Sequence, residues 1–303
     1  MKKIGLFPMQ LTGRIIVIMS MLLFIIILFS PAGKVFAGGQ WFVNTSAQVT
    51  KGNYIFDGST TAYYFYGGLR YQSDRWSVSA SLPLIAQRDD LVTYTGGIFL
   101  PTGGMHHTDN DMMDRFGGGM MGGHSDWDDE QGMHGMSPFS NLNYGLGDLY
   151  LDSEITLLRE QISLPSLSLN AQLKIPTANQ AKNYGTGKYD YGVGLVVRKS
   201  MNSFLLFANV GFLVIGDPAD VTFNDPVTFG LGLGKFFNQG RSSLMLYYQS
   251  YSEILPGYQP PSQISLGYYF RVFRTLTIST VALAGMSDTS PNVSFLSGLQ
   301  VGL

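Results

Sequence analysis

From about residue 41 onward, apolar and polar side chains alternate along the chain with a period of two. In the segment 164–175, leucine, alanine and isoleucine occupy the odd positions from Leu167 to Ile175, and polar residues occupy the even positions. This period predicts β-strands with one apolar and one polar face. Twelve strands are predicted, with ten and fourteen left open as alternatives; they span residues 41–50, 58–71, 76–87, 146–159, 164–175, 189–200, 204–215, 226–237, 243–253, 262–272, 275–286 and 292–303.

Strands of this kind suit either a soluble sandwich with its apolar faces inside or a membrane barrel with its apolar face against lipid. Three features favour the barrel. The segments have about the length of a tilted strand that crosses a bilayer, aromatic residues gather near their ends, and short connections alternate with longer ones. The predicted fold is therefore an all-β, antiparallel, up-and-down transmembrane barrel, with its short turns and both termini in the periplasm.

The first residues predict export. Lys2, Lys3 and Arg14 precede an apolar run, and small residues follow it up to Ala37. This order is typical of a signal peptide, residues 1–37, which is cleaved from a barrel of residues 38–303; a membrane anchor is the alternative. An apolar, alternating last strand also suits a substrate of the machinery that assembles barrels in the bacterial outer membrane, so we expect that machinery and outer-membrane lipid as partners.

The composition of the chain excludes some kinds of site and argues against one class of partner. The 303-residue chain has no cysteine, which excludes disulfides and cysteine-ligated metals, and only 13% of its residues are charged. Cleavage after residue 37 leaves 15 bases against 21 acids, a net charge of −6, and this balance argues against nucleic acid as a partner.

Three phrases of the sequence carry a family resemblance. They are Gly145-Leu146-Gly147-Asp148-Leu149-Tyr150-Leu151, Leu173-Lys174-Ile175-Pro176-Thr177 and Tyr184-Gly185-Thr186-Gly187-Lys188-Tyr189-Asp190. In this order they resemble the outer-membrane barrels grouped as transporters of the meta-pathway of phenol degradation. The resemblance implies a barrel that passes small, often aromatic or hydrophobic compounds.

Strand parity predicts which polar side chains face the lumen. The residues expected to line it are Asp148, Asp152, Glu154, Asn170, Gln172, Lys174 and Arg198.

The connection 88–145 is the longest, and we expect it outside the cell. Its first part, from Asp90 to Leu100, is strand-like and predicts an extension of a strand above the membrane. Its later part holds every histidine of the chain and half of its methionines. Thioether sulfur suits Cu(I), and imidazole suits Cu(II) or zinc. One interpretation is therefore a loop that captures copper or a similar soft or borderline metal, and the alternative is a solvated polar tract. The candidate ligands are Met105, His106, His107, Met120, Met121, His124, Met133, His134 and Met136.

No pattern of the chain predicts an enzyme. No Gly-x-Ser-x-Gly phrase occurs, and no histidine lies on a predicted strand to activate a nucleophile. Two classes of function stay open. One is a transporter or channel for small solutes, without a required cofactor, and the other is a surface metal-binding or purely structural barrel.

Overall fold

A computed structural model of the chain describes residues 39–56, 58–87, 91–95, 97–102, 142–218 and 221–303. The predicted signal peptide, residues 1–37, and the candidate metal-binding segment, residues 105–136, lie outside the described residues. Among the described residues, no helix is long and apolar enough to cross a membrane.

The alternating segments form strands at nearly the predicted positions. The strands are β1 (Gln40–Gly52), β2 (Thr60–Gln72), β3 (Trp76–Gln87), β4 (Val92–Thr95), β5 (Ile98–Pro101), β6 (Asn143–Leu146), β7 (Leu149–Leu158), β8 (Ser166–Ile175), β9 (Asp190–Met201), β10 (Phe204–Val214), β11 (Val227–Phe237), β12 (Ser242–Tyr251), β13 (Ser262–Arg271), β14 (Leu276–Gly285) and β15 (Val293–Gly302).

Antiparallel pairing closes these strands into a barrel. Each strand pairs with its neighbour along the chain from β7 to β15, β15 pairs with β1, and β1 continues through β2 to β3. Both β6 and β7 pair with β3, at opposite ends of it, so together they act as one interrupted strand. Within the described part of the chain the barrel thus has twelve strands, as the sequence predicts.

The outer surface of the barrel is apolar. Along β10 and β11, exposed residues alternate with half-buried or buried ones, and Val210, Phe229 and Leu231 are among the exposed side chains. A soluble protein would bury these side chains, since water penalises a continuous apolar surface. A closed barrel with such a band is stable only when lipid surrounds it, and closure leaves no unpaired strand edge in the bilayer.

The two ends of the barrel differ in their connections. Short turns at residues 73–75, 202–203 and 238–241 lie at the same end as residues 39 and 303. The connections 53–59, 176–189, 215–226, 252–261 and 286–292 lie at the other end, called here the long-loop end. In outer-membrane barrels the long loops face outward and the short turns face the periplasm.

The expectation that the segment Asp90–Leu100 extends a wall strand above the membrane is wrong. Strands β4 and β5, which contain most of the segment Asp90–Leu100, do not extend a barrel strand. They form a two-stranded sheet of their own, because their residues find partners inside the barrel.

The register of β8 makes a testable distinction between its two faces. Leu169 pairs with Ile155 and Leu195, which are exposed on the outer surface, whereas Asn170 pairs with Glu154 and Gly194. Replacing Leu169 by Arg should lower the free energy of unfolding by about 2–4 kcal/mol, since the charge would face lipid near the middle of the strand. Asn170→Arg, the matched control, should cost much less. The measurement is reversible urea unfolding in lipid vesicles; equal losses for the two variants would show that the faces are assigned the wrong way round.

Candidate functional site

Strands β4 and β5 form a hairpin, here called the lumen hairpin, that lies inside the barrel. Its Thr95 and Leu100 are completely buried. Leu100 packs in one apolar cluster with Leu213 of β10 and Tyr251 of β12, while Phe99 packs in another with Tyr64 of β2. Because these partner strands come from separate parts of the barrel circumference, the hairpin must occupy the lumen between them.

Pairing within the hairpin gives it two different faces. Tyr94 lies opposite Phe99, and Thr95 lies opposite Ile98. The face that carries Tyr94 and Phe99 is aromatic, and the face that carries Thr95 combines hydroxyl groups with aliphatic side chains.

The aromatic face packs on the wall formed by β2 and β7. The ring of Tyr94 lies 4.9 Å from that of Phe99, 5.5 Å from that of Tyr150 and 6.0 Å from that of Tyr64, measured between centroids. The Tyr150 hydroxyl also donates to the backbone carbonyl of Tyr94, at 3.3 Å. Aromatic pairs with tilted geometry stabilise a structure beyond the area that they bury, so this face is held mainly by ring contacts.

The hydroxyl face contacts a buried ammonium group. Lys174 Nζ lies 2.9 Å from Asp190 Oδ2 and 3.6 Å from Asp148 Oδ2, and it donates to the hydroxyls of Thr95 and Thr186, both at 2.7 Å. The Thr95 hydroxyl donates in turn to Asp190 Oδ2, at 2.6 Å. These five side chains are called here the Lys174 cluster, and through Thr95 they tie the hairpin to β8 and β9.

Backbone amides add two hydrogen bonds to the Lys174 cluster. The amide of Ala178 donates to Asp148 Oδ1 at 3.0 Å, and the amide of Gly216 donates to Asp190 Oδ1 at 3.1 Å. Buried charges are tolerated when they are both paired and hydrogen-bonded. Lys174 and Asp148 each have only 1% of their side chain exposed, and Asp190 has 3%, so these contacts are what makes the cluster tolerable.

A second polar contact holds the start and the end of the hairpin. The Thr93 hydroxyl donates to Asn183 Oδ1 at 2.8 Å, and Asn183 Nδ2 donates to Thr102 Oγ1 at 3.2 Å. Asn183 has a backbone φ of 54°, in the left-handed region that asparagine tolerates better than most residues.

The three phrases that carry the family resemblance meet at the Lys174 cluster. Asp148 belongs to the first phrase, Lys174 to the second, and Thr186 and Asp190 to the third. Strand parity indicates Asp148 and Lys174 as lumen residues but gives no sign of Thr95, Thr186 or Asp190. The signal for Thr186 and Asp190 lay in the third phrase, whereas nothing in the local pattern marks Thr95.

The other residues expected in the lumen lie toward the short-turn end of the same wall. Arg198 makes two hydrogen bonds to Glu154, of 2.7 and 2.8 Å, and a third to Ser168 at 3.3 Å. Asn170 pairs with Gly194, and along the same face Gln172 pairs with both Asp152 and Gly192.

The wall formed by β10, β11 and β12 carries aromatic side chains. The rings of Phe207 and Tyr247 stack with centroids 5.5 Å apart, and the Tyr247 hydroxyl donates to Asn209 at 2.9 Å. Both residues flank Gly232 on the neighbouring strand, and the Phe207 ring occupies the place of a side chain at that position. The glycine thus lets an aromatic surface lie flat on the wall.

The candidate metal ligands of residues 105–136 lie outside the described residues. In the part of the chain that the structure describes, no group of three or more histidines or acidic residues could hold a metal ion.

Comparison with known proteins identifies the family. A sequence profile of the family described as “Putative MetA-pathway of phenol degradation” matches residues 92–301, which confirms the resemblance that the three phrases indicate. The match begins at the first residue of the lumen hairpin. No curated protein matches the sequence.

One solved structure shares the fold of this chain, and two others resemble it less. An outer-membrane channel from Pseudomonas putida F1 is 11% identical, with a TM-score of 0.59 over 90% of this chain and 99% of that one. The KdgM porin is 5% identical, with a TM-score of 0.46 over 86% of this chain and 99% of that one; the toluene transporter TodX of Pseudomonas putida is 11% identical, with a TM-score of 0.38 over 88% and 90%. The first likeness shows the fold of this chain, and the apolar outer band suits a barrel that is surrounded by lipid.

Removing the central charge of the Lys174 cluster should destabilise the protein. Lys174→Met leaves the carboxylates of Asp148 and Asp190 buried without a cation, and breaking a buried ion pair in this way costs about 3–5 kcal/mol. Lys235→Met is the control, since Lys235 donates to Ser203 and lies 3.9 Å from the centre of the Phe204 ring, at the short-turn end. Urea unfolding of both variants should show the larger loss for Lys174→Met; a smaller loss than that of the control would contradict the ionic role of the cluster.

Proposed function

The chain belongs to the family described as “Putative MetA-pathway of phenol degradation”, and we propose that it is a channel for small solutes whose lumen is closed by the lumen hairpin. The observation that carries the proposal is the position of the hairpin. It lies across the lumen, with one face on β2 and β7 and the other at the Lys174 cluster. A solute can pass only when the hairpin is displaced.

The hairpin is suited to movement because its own pairing is weak. Each of its strands has four residues, and a two-stranded sheet of that size is at best marginally stable alone. Its closed position therefore depends on side-chain contacts with the wall. Conformational changes that open or close a protein commonly use such segments of low intrinsic stability.

The lumen wall suits small compounds with an apolar ring. Phe207 and Tyr247 offer an aromatic surface, and on the adjoining wall Glu154 and Arg198 offer a neutralised ion pair. We propose that the solute path runs between these surfaces and that the sequence-predicted lumen residues line it. Small uncharged compounds with hydrophobic or aromatic parts fit such a path best.

We propose that the channel has no catalytic activity and requires no cofactor. A serine hydrolase needs a base such as histidine beside its nucleophile, and all four histidines belong to the connection between β5 and β6. The partners proposed are outer-membrane lipid, the transported solute and, during biogenesis, the barrel-assembly machinery.

Removing the lumen hairpin should open the channel. We expect a chain in which a glycine-serine linker of equal length replaces residues 92–101 to fold and to conduct several-fold more current in planar bilayers, since the barrel ladder does not include β4 or β5. Deletion of residues 105–136 is the control, because it alters the same connection between β3 and β6 and keeps the hairpin. Equal conductance of the linker variant and the parent protein would overturn the proposed closure.

We keep metal binding by residues 105–136 as a separate prediction, motivated by the concentration of histidine and methionine there. Calorimetric titration with Cu(I), Ag(I), Cu(II) and Zn(II) should show binding that the deletion variant lacks. Binding by the histidines should weaken as the pH falls through the ordinary imidazole pKa of about 6.5, because a protonated imidazole cannot ligate. Indistinguishable heats from the two proteins would leave the segment a solvated tract.

A further inference from the structure

A cleft of about 410 Å³ opens at the long-loop end between three connections. Its lining includes the aromatic rings of Tyr54, Phe56 and Tyr258 together with the polar side chains of Gln259, Asp288 and Thr289. A volume of several hundred cubic ångströms, with aromatic rings and polar groups side by side in the lining, is enough for a small molecule that has both an apolar and a polar part.

Hydrogen bonds tie the three connections into a built structure. The backbone amide of Asn53 donates to the Asn292 side chain at 2.8 Å, joining the first connection to the third. The Thr289 hydroxyl donates to the backbone carbonyl of Gln259 at 2.8 Å, joining the third to the second. The walls of the cleft are therefore joined to one another by hydrogen bonds.

Two of these connections also rest on the lumen hairpin. Tyr54, which is 7% exposed, packs in the same apolar cluster as Val92 and Phe99 of the hairpin. In the other connection Ile254, close to Tyr258, packs in the cluster of the hairpin's Leu100. A compound bound in the cleft would thus sit on side chains that support the closed hairpin.

The chemistry of the lining selects the ligand. The rings favour a planar or ring-shaped compound through stacking and apolar contact. Asp288 is exposed at the cleft, and its carboxylate can accept hydrogen bonds from hydroxyl groups while it repels anions.

We propose that this cleft is an outer binding site for a small uncharged ring compound that carries hydroxyl groups. This inference rests on the proposed function, because a compound bound here would be held at the entrance of the channel. A hydroxylated aromatic ring and a monosaccharide are both uncharged ring compounds that carry hydroxyl groups. The two sources differ in flatness and in the number of hydroxyl groups, so the experiment uses catechol for one and glucose for the other.

The test is saturable binding to the purified barrel, followed by saturation-transfer NMR and calorimetry. Tyr258→Ala should weaken binding of catechol at least tenfold, and Asp288→Asn should weaken it several-fold. Tyr189→Ala is the matched control, since this tyrosine is also exposed near the long-loop end but does not line the cleft; it should bind as the parent protein does. Benzoate, an anionic ring without a hydroxyl substituent, should bind more weakly than catechol.

The outcomes separate the alternatives. Binding of glucose rather than catechol, with the same dependence on Tyr258, supports the site and assigns it to sugars. No saturable binding of either compound, or equal binding by parent and Tyr258→Ala, overturns the proposal. Because this assay does not measure current, its failure leaves the conductance result of the hairpin-replaced chain to decide the proposed function independently.

Discussion

Three charged groups without access to bulk water, Lys174, Asp148 and Asp190, impose the condition that the interior of this barrel must satisfy. Burying an ion costs several kcal/mol unless close partners of opposite charge and hydrogen bonds compensate for the lost water. Two connections at the long-loop end supply some of these partners through Thr186 and backbone amides, and the lumen hairpin supplies Thr95. Displacing the hairpin would therefore leave part of the cluster without hydrogen-bond partners unless water enters, so opening of the lumen would have to coincide with hydration of these charges.

The wall of the barrel could be predicted well from the sequence because each wall strand faces two different solvents. Lipid on one side and a polar lumen on the other impose a period of two, and β3 begins and ends at the predicted residues 76 and 87. The ends of other strands differ by a few residues, as at β1, which continues to Gly52, because pairing can extend a strand beyond the bilayer, where the pattern no longer constrains it.

The interior of the barrel could not be predicted in the same way. Val92 and Phe99 are buried by the rings of distant strands, and a local pattern cannot tell such a segment from a strand that extends the wall. Parity indicated that Asp148 and Lys174 face inward, yet it carries no information on which inward residues meet. Thr95 contacts Lys174 across a separation of 79 positions, and only the closed barrel brings the two together.

The seam between β1 and β15 has a consequence for how the protein is made. It pairs Phe42 with Gly302 and Lys51 with Val293, so the two edges that must meet are the first and last strands of the barrel. Contacts between residues so far apart along the chain form slowly, because the intervening loop must first lose its conformational entropy. Until they form, two unpaired edges stay open to pairing with other chains. The time needed to form this seam sets the interval during which the unclosed barrel is vulnerable to aggregation.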